Sequence, residues 1–293
     1  MTTHRRRSVA ELDLIHIEAE DVIAFLDFLE EERHNTIATR NVRLAALHAF
    51  FRYVAVKDPE QLSRSQRILH IPFKRAGQRP IEYLEYDEIQ AVLSAVDRST
   101  PAGRRDYALL AMMFNTGARV QEVLDIRAYD LQLIKPFQVR LLGKGRKERL
   151  CPLWPQTAAV LSDLCAENQL DPRAPVPVFL NHRGEPLSRF GVRYILAKYV
   201  EHARAAAPTL NDKRLHPHSM RHSTAVYLLK SGVDLSTIGQ WLGHASVNTT
   251  NKYATVDLDM KRQALACAEP PATELPAPNW RNDPTTLEWL EAL

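Results

Sequence analysis

The stretch LHIPFKRAGQRP, residues 69–80, has no hydrophobic periodicity and separates two segments that do. It contains two prolines and one glycine, which interrupt helices and strands, together with basic residues that favour solvent. Such a composition is typical of a linker. We therefore predict a helical domain at residues 1–68, a linker at 69–80, a larger domain at 81–266, and a Pro-rich arm with a terminal helix at 267–293. The 293 residues, 45% of them hydrophobic, suffice for two separate cores.

Two amphipathic helices are predicted before the linker. The first, within residues 18–33, has apolar side chains at helical spacing: Val22, Ile23, Leu26 and Leu29. Asn35 or Thr36 is suited to cap the second helix, which begins IATRNVRLAALHAFF. The opposite face of that helix is predicted to present three cations: Arg40, Arg43 and Arg52. Because two helices make a thin core, we expect either a small helical module or a segment that packs against another part of the protein.

The larger domain is predicted to be mostly helical with one small antiparallel sheet, an α+β fold that is mainly α. The segment FQVRLLGKGRKERLCPL has β-branched and apolar residues on both sides of a Gly143-Lys144-Gly145 tip, which is typical of a hairpin. Helical periodicity appears before and after it, in segments such as RRDYALLAMMFNTGARVQEVLDI and PHSMRHSTAVYLLKSG. Four residues are suited to mark helix ends in the later segments: Pro217, Gly232, Asp234 and Gly243.

The net charge of +3 is small, so a surface for a charged partner has to be local. Residues 135–149 contain six cations and a single acid, Glu148, and further basic clusters occur at residues 5–7, 74–75 and 104–105. Clusters of this kind are the electrostatic footprint expected for a polyanion such as nucleic acid. Beyond the helical arginines, the candidates for phosphate contacts are Lys74, Arg75, Arg146 and Lys147.

Several classes of protein are disfavoured by composition. No run of eighteen apolar residues is present, and the basic N-terminus MTTHRRRSVAELDL is followed by no apolar segment, so neither a membrane span nor a secretory signal is predicted. The three cysteines are widely spaced, which suits a reducing cytoplasm and disfavours a disulfide framework. His218 and His222, with His216 nearby, could form half of a zinc site, but the acid of an H-E-x-x-H motif is missing between them. No metal site is therefore predicted.

Short motifs follow one another through the larger domain. NTGARVQEVLDI places Arg119 after a Thr-Gly break and Glu122 one helical turn later, and GKGRKER places Lys144 at the hairpin tip. HPHSMRH places His218 and Arg221 one turn apart on the same helical face. Each of these motifs is common by itself, so their order along the chain is the informative feature.

The last motif, LGHASVNTTNKYA, spaces His244 and Tyr253 nine residues apart. Together and in this order, from about residue 80 to 265, the motifs resemble the catalytic domain of the tyrosine site-specific recombinases, the phage integrase family. The resemblance implies an enzyme that cleaves and rejoins DNA strands through a 3′-phosphotyrosyl link to Tyr253. Because that link conserves the energy of the phosphodiester bond, neither ATP nor a metal or other cofactor is expected.

The residue types suit the chemistry that the resemblance implies. Arg119 and Arg221 offer planar guanidiniums that can hold the non-bridging oxygens of a phosphodiester, where negative charge accumulates in the transition state. Tyr253 is expected to be the nucleophile, since a phenolate is also a good leaving group. Lys144, close to other cations, is expected to protonate the 5′-oxygen.

Three further roles are expected around these groups. His218 would act as an acid or base at the tyrosine hydroxyl, and His244 would donate a hydrogen bond to the phosphate. Glu122 is expected to orient Arg119 or His218.

The resemblance also implies how the protein meets DNA. A helical core-binding domain and the catalytic domain would clamp double-stranded DNA, with the basic linker crossing the duplex. Four copies would assemble on two recombination sites, and the terminal segment TLEWLEAL is expected to dock on a neighbouring copy. The family usually begins with a further helix that this sequence does not clearly show, so the resemblance implies an N-terminal domain that is one helix short. This short domain and the long tail favour a recombinase of a mobile element that acts with companion recombinases or a directionality factor. We expect a cytoplasmic, nucleoid-associated protein.

Three alternatives remain at this point. The chain could be a DNA-binding accessory subunit that keeps this fold without performing the chemistry. It could relax supercoils in the manner of a type IB topoisomerase, which uses similar residue types. A metal-dependent nuclease is the most distant alternative.

Overall fold

The computed structural model describes residues 14–77, 81–143 and 145–243, together with Thr250 and Tyr253. The chain divides into two compact units, residues 1–80 and residues 81–293, each with its own hydrophobic core. Most of the described residues are helical, and the strands form one three-stranded antiparallel sheet, which confirms the predicted fold class. Among the described residues, no helix is long and apolar enough to cross a bilayer.

The described part of the N-terminal unit contains three α-helices: α1 (Ala19–Glu31), α2 (Ile37–Lys57) and α3 (Leu62–Leu69). Thr36 begins α2 as predicted, because its hydroxyl accepts a hydrogen bond from the Thr39 N–H. The core between the helices contains Leu26, Leu44 and Ile68, each 0% exposed. The helix α3 lies just before the predicted linker, in a segment for which the sequence analysis predicted no helix.

The N-terminal unit corrects two expectations about side-chain direction. Ile23, which was assigned to the apolar stripe of α1, is 43% exposed. Arg40, which was assigned to an exposed cationic face of α2, is buried, with its Nε 2.9 Å from Glu30 Oε1 and its Nη1 donating to the Pro72 carbonyl. Since a buried cation needs a paired anion and hydrogen-bond acceptors, these contacts account for its burial. Arg40 therefore forms a buried ion pair with Glu30, and its side chain is not exposed for contact with a phosphate.

The second unit is organised around the helix α5 (Pro101–Thr116), in which every residue from Ala108 to Thr116 is buried. It is packed against three other helices: α4 (Tyr86–Ser94), α7 (Pro155–Glu167) and α9 (Pro217–Lys230). The other α-helices that the structure describes in this unit are α6 (Val120–Leu124), α8 (Arg189–Ala203) and α10 (Leu235–Leu242). The core of this unit is thus formed mainly by helix packing.

The sheet runs in the order β1 (Leu131–Gln132), β2 (Gln138–Leu142) and β3 (Glu148–Pro152). The predicted hairpin is confirmed, with Val139 opposite Cys151 and Leu141 opposite Arg149. Residues directly opposite each other point to the same face of a sheet. Arg149 therefore shares the buried face with Leu141, Val139 and Cys151, each of which is 0% exposed.

The predicted helix ends are confirmed around the later helices. Pro217 is the first residue of α9, and Gly232 follows that helix with a φ of 83°. The Asp234 carboxylate accepts a hydrogen bond from the Thr237 N–H and begins α10. Gly243 ends α10 in the left-handed conformation, with a φ of 66°. The terminal helix predicted at 285–293 lies outside the described residues.

Candidate active site at the arginine cluster

The site begins at a break between α5 and α6. Gly117 ends α5 with a φ of 56°, and a Cβ at this position would overlap the Leu242 side chain, so only glycine fits. The chain then turns so that Arg119 precedes α6, and the Arg119 N–H donates to Glu122 Oε2 at 2.9 Å. This capping interaction fixes the backbone from which the Arg119 side chain extends. Its side chain is 40% exposed and can therefore reach a ligand in solvent.

Glu122 is a buried carboxylate that lies between two guanidiniums. Its Oε1 accepts from Arg119 Nη1 at 2.7 Å, and its Oε2 accepts from Arg149 Nη2 at 2.7 Å. Burial alone would raise the pKa of Glu122, but the hydrogen bonds from Arg149 and from the Arg119 backbone and side chain hold this pKa below its usual value. Glu122 therefore stays ionised and orients Arg119, one of the two partners that the sequence analysis gave it.

Arg221, on α9, is 2% exposed and connects two chain segments. Its Nη1 donates to the Gly117 carbonyl and its Nη2 to the Leu242 carbonyl, each at 2.7 Å. Burial, followed by repulsion from Arg119, lowers the pKa of Arg221 to about 10, so the guanidinium remains charged at neutral pH. Both predicted arginines thus belong to one cationic cluster beside the Gly117 break.

Tyr253 is 0% exposed, and its hydroxyl is hydrogen-bonded to His222 Nδ1 at 2.8 Å. Burial raises the pKa of Tyr253 to about 12, although the charge of Arg221 opposes the shift, so the tyrosine is neutral at physiological pH. From the sequence, His218 is the predicted partner of the tyrosine hydroxyl, and His222 is only a possible zinc ligand. The His218 ring packs edge-on against the His222 ring, with the centroids 4.6 Å apart, so the two histidines and the tyrosine form a row.

Two predicted residues of the site, Lys144 and His244, lie outside the described residues. Their expected roles stay predictions. Of the residues described, no three His, Cys, Asp or Glu side chains are grouped so that they could hold a metal ion.

The predicted phosphate contacts differ in their surroundings. Arg43 and Arg52 are exposed on α2, and Arg75, Arg146 and Lys147 are exposed in loops. Lys74 is also exposed, but its ammonium pairs with Glu30 at 2.8 Å. Apart from Arg40, these side chains are accessible to a polyanion.

A second exposed surface, which the sequence analysis missed, lies at the start of α8. Phe190 is 84% and Tyr194 71% exposed, and Arg189 and Arg193 extend from the same turns of the helix. Arg189 Nε donates to Gln121 Oε1 at 2.6 Å, which connects this surface to α6, the helix that Arg119 precedes. Residues 189–194 are called the α8 surface below. Exposed aromatic side chains among arginines in RFGVRY were the signal that could have revealed it.

Comparison with known proteins assigns the second unit to a family. The model of the phage integrase family matches residues 82–259. The protein y4rC of Sinorhizobium fredii, by name an integrase/recombinase, is 40% identical over 288 residues, which cover 98% of this chain and 86% of y4rC. Tyrosine recombinase XerC of Bacillus licheniformis is 32% identical over 253 residues, covering 84% of this chain and 80% of XerC.

A solved structure shows the same fold. The XerH site-specific recombinase, bound to a palindromic difH substrate in a post-cleavage complex, aligns with a TM-score of 0.71 at 23% identity. The alignment covers 92% of this chain and 77% of XerH.

The buried carboxylate generates a prediction about stability. Glu122→Gln keeps the shape of the side chain but removes the negative charge between Arg119 and Arg149, so we expect the free energy of unfolding to fall by about 3 kcal/mol at pH 7. Because the pKa of Glu122 is lowered in the folded state, its contribution is present above pH 4.5 and is lost as the pH falls through the folded-state value. The difference between variant and wild type should therefore narrow in acid.

Urea unfolding followed by tryptophan fluorescence measures this difference, since all four tryptophans lie beyond residue 150. Glu148→Gln is the matched control, because the Glu148 side chain is 59% exposed and should cost less than about 1 kcal/mol. An equal loss in both variants, or a difference independent of pH, would contradict the prediction.

Proposed function

The chain belongs to the phage integrase family of tyrosine recombinases, enzymes that cleave and rejoin DNA, and from this premise we propose that it is a site-specific recombinase acting through Tyr253. One observation carries the proposal: two guanidiniums, Arg119 and Arg221, are held beside one backbone break in the unit that contains the buried Tyr253. Cations fixed in this way suit a phosphodiester, whose non-bridging oxygens gain negative charge during attack.

The proposed cleavage step is a transesterification. The Tyr253 hydroxyl oxygen attacks the phosphorus and loses its proton, while the bond from phosphorus to the 5′-oxygen breaks. The products are a 3′-phosphotyrosyl ester and a free 5′-hydroxyl. Rejoining is the reverse attack by a 5′-hydroxyl of the partner strand, which releases the tyrosine.

The proposed step needs a group that accepts the proton of Tyr253 and a group that gives a proton to the 5′-oxygen. With a pKa of about 12, Tyr253 must pass its proton to a base as it attacks, and His222, at 2.8 Å, or its neighbour His218 is suited to accept it. Lys144 is proposed to give a proton to the leaving 5′-oxygen, and His244 to donate to a phosphate oxygen. No metal or cofactor takes part in this scheme.

The burial of Tyr253 adds a condition. Since its side chain is 0% exposed, the described conformation does not offer the hydroxyl to a phosphate in solvent. We therefore propose that binding of the recombination site moves Tyr253 toward Arg119 and Arg221. Cleavage would then be confined to assembled complexes.

The proposal predicts a covalent adduct that depends on Tyr253. Wild type and Tyr253→Phe are expressed in cells of the host, the lysates are denatured, and protein that remains attached to DNA is captured and its DNA ends are sequenced. Tyr253→Phe should lower the yield of 3′-linked adduct by at least about 10³-fold, because the nucleophilic oxygen is missing. DNA binding should be unchanged.

The same two proteins and the captured DNA also distinguish the three alternative functions. No adduct from the wild type, with DNA binding retained, would identify an accessory subunit. Relaxation of supercoiled plasmid that lacks the captured site would favour a topoisomerase. Loss of cleavage in EDTA would favour a metal-dependent nuclease.

We propose double-stranded DNA as the partner of the α8 surface as well as of the exposed cations of the N-terminal unit. A duplex that brings its phosphate to Arg119 would pass close to α8, because Arg189 is hydrogen-bonded to Gln121 of α6. Within the described chain, Arg193 makes no ion pair with an acidic side chain, so it is available to a phosphate. The aromatic side chains at 190 and 194 would pack against the sugar and base edges beside it.

Removing Arg193 tests this surface. Arg193→Ala should weaken binding to the captured site by about tenfold and reduce the salt dependence of binding by about one counterion. Fluorescence anisotropy over a series of salt concentrations measures both quantities. Arg204→Ala, at the other end of α8 and paired with Glu201, is the matched control and should leave the affinity unchanged. Equal affinities for wild type and Arg193→Ala would contradict the assignment.

We propose integration, excision or transposition for a mobile element as the biological outcome. The identity is greater to y4rC, whose name is that of an integrase, than to the recombinase XerC, 40% against 32%, and this supports integration. Four copies would act on two sites, together with companion recombinases or a directionality factor. In this assembly, the terminal segment TLEWLEAL would dock on a neighbouring copy.

A truncation tests the assembly. Removing residues 269–293 should abolish tetramers on DNA, while single copies still bind, because the segment proposed to connect neighbours is missing. Native gel shifts with the captured site distinguish the two complexes. Leu290→Ala in the full chain is the milder variant and should weaken tetramers in the same direction. Tetramers that persist after truncation would refute docking in trans.

A further inference from the structure

We propose that Arg149 is a positioning residue for the recombination chemistry, acting through Glu122 on Arg119 and through the end of α10 on the turn at Gly243. This inference rests on the proposed function, because it concerns the geometry of the same site. From the sequence alone, Arg149 is only one of the six cations of residues 135–149.

The contacts of Arg149 join two parts of the site. Its Nη2 donates to Glu122 Oε2 at 2.7 Å and its Nε to the Trp241 carbonyl at 3.0 Å. The side chains of Arg149 and Glu122 are only 12% and 4% exposed, so these bonds are largely shielded from water. A single guanidinium thus fixes both the carboxylate that orients Arg119 and the last turn of α10.

The end of α10 is held by two arginines in succession. Arg149 binds the Trp241 carbonyl, and Arg221 binds the next carbonyl, that of Leu242, at 2.7 Å. The last carbonyls of a helix lack partners within the helix, and a cation at this end is favoured by the helix dipole. Because Arg221 also binds the Gly117 carbonyl, the two guanidiniums connect α10 to both sides of the Arg119 turn.

The backbone is shaped around the Arg149 guanidinium. A Cβ at Gly243 would lie 3.0 Å from Arg149 Nη1 and 3.2 Å from its Cζ, so a side chain at Gly243 would displace the arginine. A Cβ at Gly143, where β2 ends, would lie 3.6 Å from the same Nη1 and 3.4 Å from Glu122 Oε1. The guanidinium therefore lies between the hairpin, α6 and the end of α10. In sequence, Lys144 follows the first of these glycines and His244 the second.

Burying the charged side chain of Arg149 costs free energy that simple packing would not require. Arg149 points to the buried face of the sheet, opposite Leu141, and it adds a third cation to a cluster in which Arg119 and Arg221 already repel. An apolar side chain would pack there without desolvating a charge. The planar guanidinium of Arg149 instead donates from one nitrogen to Glu122 and from another to the Trp241 carbonyl.

The test uses the full-length protein and a duplex containing the captured site. Arg149→Met and Arg149→Lys are compared with Arg140→Met, a cation of the same hairpin whose side chain is 41% exposed and paired with Asp130. Each protein is assayed for DNA affinity and for the rate of adduct formation. Two substrates are used: one with an ordinary scissile phosphate and one with a neutral methylphosphonate in its place.

Both Arg149 variants should bind DNA as wild type does and form the adduct about 10²-fold more slowly on the phosphodiester, since a misplaced Arg119 no longer matches the developing charge. On the methylphosphonate the loss should shrink to less than about tenfold, because the neutral centre depends less on the guanidiniums. Lysine keeps the charge but has one nitrogen, so it should not restore the rate. Arg140→Met should react like wild type.

Other results would overturn the inference. Equal losses on both substrates, or weaker DNA binding, would indicate a general packing role. Full activity of Arg149→Lys would show that charge suffices, and full activity of both variants would remove Arg149 from the reaction. If Arg149→Met does not fold, the lysine variant decides the outcome on the same two substrates. A wild type that forms no adduct would instead refute the proposed function, and this inference with it.

Discussion

The buried guanidinium of Arg221 is the interaction on which the site depends. Its two bonds, to the Gly117 and Leu242 carbonyls, tie the end of α5 to the end of α10 across the unit. A charge with 2% exposure is tolerated only because these acceptors replace water, and because Glu122 offsets part of the repulsion from the other arginines. In the proposed reaction, the guanidinium that stabilises the fold is also the cation that meets the phosphate. Stability and the proposed chemistry then share one side chain.

The features that were predicted correctly from the sequence are those that depend on residues close together in the chain. The Thr36 and Asp234 caps, the Gly243 stop and the hairpin at residues 138–152 depend on neighbours a few positions away, and all were confirmed. The roles of Arg40 and Arg149 depend on acids and carbonyls much farther along the chain, up to 92 positions away for Trp241. A count of basic residues does not distinguish a buried cation from an exposed one. The alternation along β3, with Cys151 inward, was the one local sign that Arg149 faces the core.

The residue types of the candidate site and their order along the chain could be predicted from the sequence. Fewer of the contacts between these residues could be predicted. Arg119 and Glu122 were placed together by their spacing on a helical turn, and they do bond. The contact between His222 and Tyr253 joins residues 31 apart through packing that periodicity does not encode. The proposed phosphate chemistry thus rests on two guanidiniums bonded to one carboxylate, with the guanidinium of Arg221 and the neutral, buried Tyr253 in the same cluster.

Arg221 and His222 are consecutive residues of α9, and each serves a different part of the site. One side chain anchors the frame of the cationic cluster, while the next contacts the tyrosine. Any rotation or shift of α9 must displace both together, so the proposed contact with the phosphate and the contact with Tyr253 are coupled through a single peptide bond. A substitution that shifts α9 to change one of these contacts therefore also changes the other. Along this helix, the reaction rate and the resting position of Tyr253 cannot be altered independently.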